Sequence, residues 1–220
     1  MFVFFVDFAP WLIWWVLVGN VRTPVTAALV ALGTALALTL TSLLQRRGLK
    51  LLPIGSGVVF AVIALLGLVI GEARLLPWVQ LIACGGVLLV VLFSLATGRP
   101  FTLERARDQF PGEIVRLPSF LFMNRVVTGV WALAFAVLAG LAAVPPLVAR
   151  QISINDDADA VGALTILSFW VLPCIVFGLA LVFASWYPGW YASRTLNRRL
   201  QGYFQQHPPP PEAEEPPPVT

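Results

Sequence analysis

The chain has 220 residues, of which 59% are hydrophobic and 11% charged, with a formal net charge of +3 and a mean hydropathy of +0.86. Soluble domains carry about 25% charged residues, so the composition excludes an ordinary soluble domain and predicts an all-α, polytopic transmembrane helical bundle. The basic residues are scattered among short loops, which excludes a nucleic-acid-binding role.

The first apolar run, residues 1–19, is rich in aromatics and broken by Asp7 and Pro10. About 20 apolar residues are needed to cross ~30 Å of hydrocarbon, so this run either spans with a distortion or is short and re-entrant. Trp11, Trp14 and Trp15 read as interface-seeking aromatics. The run lacks a basic leader and a small-residue cleavage site, so it is expected to be retained as a membrane segment. The second run, 24–44, starts on a helix-compatible Pro24 and repeats Ala27, Ala31, Ala35 and Thr39 every four residues. Such a small-residue face lets helices approach closely in lipid. A third run covers 54–71, with Gly67 and Gly71 at the same spacing. After a turn at Glu72 and Arg74, a fourth covers 75–97. Gln80 is a lone amide in that run, expected to be satisfied by packing, with a ligand contact as the alternative.

The stretch 98–125 is the one long polar interval between apolar runs. It carries Arg99, Arg105, Arg107, Arg116 and Arg125 against Glu104, Asp108 and Glu113. Thr102 suits an N-cap, and Glu104 suits the first turn, where the helix dipole favours an acid. Residues 103–110 then predict about two helical turns, ended by Pro111-Gly112. Leu103, Ala106 and Phe110 share one side. The expectation is a short cytoplasmic surface helix between spans four and five, apolar side down, with its arginines near phosphates. A plain solvated loop is the alternative.

The fifth run, 126–149, places Thr128, Ala132, Ala136 and Gly140 on one face and is expected to end at Pro145-Pro146. The loop 150–160 holds Asp156, Asp157 and Asp159 without the glycine and distal glutamate of a calcium loop, so a solvated acidic loop is expected. In the sixth run, 161–187, Pro173 should kink the helix. Trp186, Tyr187, Trp190 and Tyr191 form an aromatic belt at its exit. Residues 1–200 thus form a membrane-embedded helical domain, and 201–220 a disordered, proline-rich cytoplasmic tail. Cys84 and Cys174 lie within apolar runs and show no metal or redox spacing.

If all six runs cross, eleven basic residues share a side with both termini and three lie on the other. Basic residues stay cytoplasmic, which puts both ends inside. If the first run is re-entrant, five spans remain. Asp7 is the one acid within an apolar run, and Arg125 is its candidate partner. The sequence offers no nucleophile–base pair and no phosphate-cradling loop, so no enzyme, cofactor or metal site is expected.

The opening FVDFAPWLIWW, the TAALVAL run with its basic QRRGLK turn, and the later MNRVVTGVWALAFAVLAGL resemble the intracellular septation protein A family. That family consists of bacterial inner-membrane proteins of about this size. The similarity covers roughly residues 3–142 and rests on Asp7-Phe8 with Pro10, on Asn124, and on Trp131-Ala132 with Phe135. It implies a non-enzymatic role in septation or envelope maintenance, or as an accessory subunit, with a transporter of small molecules, ions or lipids as the alternative. The implied partners are membrane lipids and proteins in the inner membrane or at its cytoplasmic face. The candidate interaction or structural residues are Asp7, Arg99, Thr102, Arg105, Arg107, Asn124 and Arg125.

Overall fold

The structure is a computed structural model that describes residues 6, 8–20, 23–45, 50–107, 110, 112–151, 162–163 and 166–206. Among these residues every regular element is helical. The order is α1 (Ala9–Asn20), α2 (Pro24–Leu44), α3 (Leu51–Ile70), α4 (Glu72–Leu75), α5 (Val79–Ala96), α6 (Phe101–Arg107), α7 (Gly112–Val115) and α8 (Pro118–Gln151). A π-turn, Leu167–Val171, then leads into α9 (Leu172–Gln206). The acidic loop at 152–160 and the tail from His207 lie outside the described residues, and Gln201–Gln206 continue α9.

Five segments are long and apolar enough to cross a membrane: α2, α3, α5, α8, and the π-turn with α9. The first run is shorter. α1 has 12 residues, about 18 Å of helix, well short of the hydrocarbon thickness. The outer surface explains the solvent: Leu68 is 72% exposed, and Leu133 and Leu179 are each 66% exposed. Water would not tolerate so continuous an apolar face.

Consecutive long helices run antiparallel. Val25 at the start of α2 lies against Gly67 near the end of α3. Between α3 and α5 the contacts are reciprocal. Val90 fills the notch at Gly55 and Val59 fills the one at Gly86, so a Cβ on Gly86 would stand 2.6 Å from Val59 Cγ1. Ala27, Ala31 and Ala35 are fully buried, as the four-residue repeat implies, while Thr39 bonds back to the Ala35 carbonyl at 2.8 Å.

α1 threads between these helices, parallel to α3. Trp11 Nε1 donates to Ser56 Oγ at 2.7 Å, and Trp14 packs on Phe60 with ring centroids 5.5 Å apart. Trp14 is buried, and Trp15 stacks on Trp170 at 5.5 Å. Trp14, expected at the interface, therefore serves the interior, because α1 lays that side against α3; Trp11 and Trp15 are half-buried.

Two expectations for α8 change. The helix does not end at Pro145-Pro146 but continues to Gln151. In hydrocarbon a broken helix would leave many amides unpaired, whereas two prolines forfeit only two donors. Its buried face follows Thr128, Trp131, Ala132, Phe135, Leu138 and Ala142, a 3.6-residue period, and leaves Ala136 and Gly140 exposed. In the last segment the distortion expected at Pro173 takes the form of the π-turn, with Leu172 N donating to Leu167 O. Proline has no amide proton and crowds the carbonyl four residues back, and the wider turn makes room there.

Candidate functional site

Six of the seven residues singled out from the sequence fall at one end of the bundle, where α6 and α7 close over the ends of α5 and α8. This capped end is built first by the turn after α5. Gly98 takes φ 69°, Gly98 N donates to Leu95 O at 3.0 Å, and Arg99 N donates to Ser94 O at 3.1 Å. That is a left-handed helix stop, which glycine adopts without a Cβ clash. It turns the chain back so that α6 enters the bundle.

The first turn of α6 packs into the end of the bundle, while Arg107 at its end is exposed. Phe101, Thr102 and Leu103 are buried, and α6 packs on α8 and α5. These three consecutive residues point to different sides of the helix, so the bundle surrounds its first turn, and protein satisfies the Thr102 hydroxyl where lipid would leave it bare. Thr102 is not an N-cap, because it sits inside α6. Its Oγ1 donates to the Asn124 carbonyl at 3.1 Å and shares a 2.8 Å hydrogen bond with Thr128 Oγ1. Asn124 is buried, and its Nδ2 donates to the Phe120 carbonyl at 2.9 Å. Ser94 Oγ accepts from Phe101 N at 3.4 Å and donates to Val91 O at 2.7 Å.

The carboxylate of Glu104 reaches across to α3, where Oε2 accepts from Leu51 N at 2.8 Å. An acid at a helix N-terminus meets free amides and the positive end of the dipole. Glu104 therefore caps α3 besides serving its own helix, and it ties the cap to the far side of the bundle.

The cations stand outside this frame. Arg99, Arg107 and Arg125 are exposed, as is Arg116 after α7. A Cβ on Gly98 would lie 4.0 Å from Arg125 Nη2, so that guanidinium rests over the helix stop. Arg194 lies over the Trp190 ring at 4.3 Å, at the exit of α9. There Tyr187 and Tyr191 stack at 5.8 Å. Asp7 lies outside the described residues, as does the side chain of Arg105, and with them the expected Asp7–Arg125 pair.

Sequence reasoning missed the roles of Ser94, Thr128 and the long reach of Glu104. Ser94 and Thr128 are small polar residues inside apolar runs, and their positions facing the polar stretch were the available signal. No family model matches the chain, and neither the curated proteins nor the solved structures contain a match.

Proposed function

We propose that this chain is a non-enzymatic protein of the bacterial inner membrane whose capped end is a docking face for a partner in septation or envelope maintenance. In this reading the chain crosses six times, α1 being a short crossing packed against its neighbours, and both termini are cytoplasmic. The excess of basic residues on the capped side supports that orientation. The observation that carries the docking role is a set of exposed arginines, Arg99, Arg107, Arg116 and Arg125, on a cap clamped by buried hydrogen bonds. A fixed cationic rim binds an acidic protein surface with little ordering cost.

The test is extraction into native lipid discs followed by quantitative mass spectrometry, comparing the wild type with Arg107→Glu/Arg116→Glu. A stoichiometric partner that is lost in the variant, with the thermal midpoint unchanged, is the expected result. A partner retained by the variant, or a wild-type protein extracted alone, overturns the docking role. The second reading, a carrier for small molecules, ions or lipids, draws support from a cavity among α1, α5, α8 and α9.

A further inference from the structure

A cavity of about 130 Å³ lies between α1, α5, α8 and the π-turn with the start of α9, and Phe8, which packs on Phe101 of α6, lines it. Its walls are largely apolar, with the aromatic Trp11, Trp14, Trp15, Phe135 and Phe177 among them. An apolar cavity of about 150 Å³ accepts a benzene ring, so this one has room for a ligand of that order. Two features separate it from a packing defect. Trp14 is 2% exposed, and its Nε1 proton has no hydrogen-bond acceptor among the described residues. Gln80 turns its amide nitrogen to Cys84 Sγ at 3.8 Å, and its buried Oε1 has no donor among them. Both residues line the cavity.

An unpaired donor and an unpaired acceptor, carried by two residues that line one apolar space, are costly in a low-dielectric interior. Phenylalanine and leucine would fill the same positions without that cost. Ser168, buried on the π-turn, adds a hydroxyl-bearing residue to the wall, and π-turns recur at functional sites. Ala142 lines it as well, one turn before Pro146, which has no amide proton to return to the Ala142 carbonyl. A lipid acyl chain would satisfy none of these groups. Water would satisfy them but would face apolar walls over most of its surface.

We propose that this cavity binds a small, flat, hydroxyl-bearing ring compound of the phenol or quinol class. Ligand oxygen accepts from Trp14 Nε1, and a ligand hydroxyl donates to Gln80 Oε1. The aromatic walls hold the ring face and edge. Such molecules partition into the bilayer, and the Trp15–Trp170 stack stands beside the cavity between α1 and the π-turn.

The test uses the full chain in lipid discs, with 4-ethylphenol as the probe and ethylbenzene as the isosteric control for bilayer partitioning. Thermal midpoints are measured against the concentration of each. The expected result is a saturable rise with 4-ethylphenol at about tenfold lower concentration than with ethylbenzene, the equivalent of one hydrogen bond. Trp14→Phe and Gln80→Leu should each remove that preference while keeping the response to ethylbenzene. Equal responses to the two probes, a response that never saturates, or a preference that survives both substitutions overturns the proposal. If a variant does not fold, discrimination between the two probes by the wild type still decides the outcome. None of these readouts depends on the capped end or on any partner docked there.

Discussion

Thr102 and Thr128, 26 residues apart in sequence, meet hydroxyl to hydroxyl at 2.8 Å where α6 enters the bundle. Thr128 is fully buried and Thr102 is 8% exposed, so water cannot replace either partner. Removing the Thr102 hydroxyl strands that of Thr128, at about 1–3 kcal/mol, whereas Thr128→Val leaves Thr102 its bond to the Asn124 carbonyl. Thr102→Val should therefore cost about 1–3 kcal/mol, and Thr128→Val about 0.5–1.5 kcal/mol. The double variant Thr102→Val/Thr128→Val should cost clearly less than the sum of the singles. Thermal unfolding of the four proteins in one detergent measures the coupling, and strict additivity would show that the hydroxyls act independently.

Glu104 holds two elements with one carboxylate. Its Oε2 accepts from Leu51 N at 2.8 Å, the first amide of α3. Glu104→Gln keeps an acceptor but loses the charge facing the helix dipole, and should cost a few tenths of a kcal/mol up to about 1 kcal/mol. Glu104→Leu loses the cap itself and should cost about 1–2 kcal/mol. The same variant should loosen the cap locally, giving faster protease cleavage near Arg107 at a temperature where the helices remain folded. Equal stability of the Gln and Leu variants would count against a capping role.

The helical class was legible in the sequence because hydrocarbon imposes it: runs of apolar residues with no charge can satisfy their backbone there only as helices. Ala27, Ala31 and Ala35 likewise announced a packing face, since small residues at that spacing have few other uses in lipid. What the sequence concealed was which wall each polar group faces. Thr102 suits an N-cap on local rules, yet the partner that decides its role is Thr128, and nothing local encodes that pairing. Trp14 suits an interface by residue type, yet α1 packs against α3 and turns it inward. Pro145 and Pro146 stop helices in water, but within a bilayer the same pair is carried through because the alternative exposes more backbone.

The valine–glycine exchange between α3 and α5 makes a sharper claim than helix packing in general. A methyl added at Gly86 would meet Val59 Cγ1 at 2.6 Å, and β-branched valine has little rotamer freedom to move aside. Gly86→Ala should therefore cost about 1–3 kcal/mol by overpacking. Gly33 has nothing within 4 Å of an added Cβ, so Gly33→Ala should stay within about 0.5 kcal/mol of wild type. Adding Val59→Ala to Gly86→Ala should recover part of the loss by restoring room. Thermal midpoints of these proteins in one lipid composition test all three statements together.

Pro173 gives the π-turn a cause that can be removed. With alanine there, residue 173 regains an amide proton that can reach the Phe169 carbonyl, and the extra residue of the turn is no longer needed. The turn should then tighten to α-helical register, releasing the Leu172 N to Leu167 O bond. Residues before the turn rotate about the axis, which takes Trp170 off Trp15 and Ser168 off the cavity wall. The gain in stability should stay below the ~3 kcal/mol that an interior proline costs, since the wild-type turn already relieves the clash and the tighter one gives up the aromatic stack. The readout is the indole N–H resonance of Trp15 in protein carrying nitrogen-15 tryptophan, assigned through Trp15→Phe. Trp170→Ala removes the neighbouring ring current and sets the direction of the shift. Pro173→Ala should move the Trp15 resonance the same way, and it should weaken 4-ethylphenol binding in parallel. A Trp15 resonance that stays at its wild-type position in Pro173→Ala would mean that packing around the turn, and not the proline, holds the π geometry.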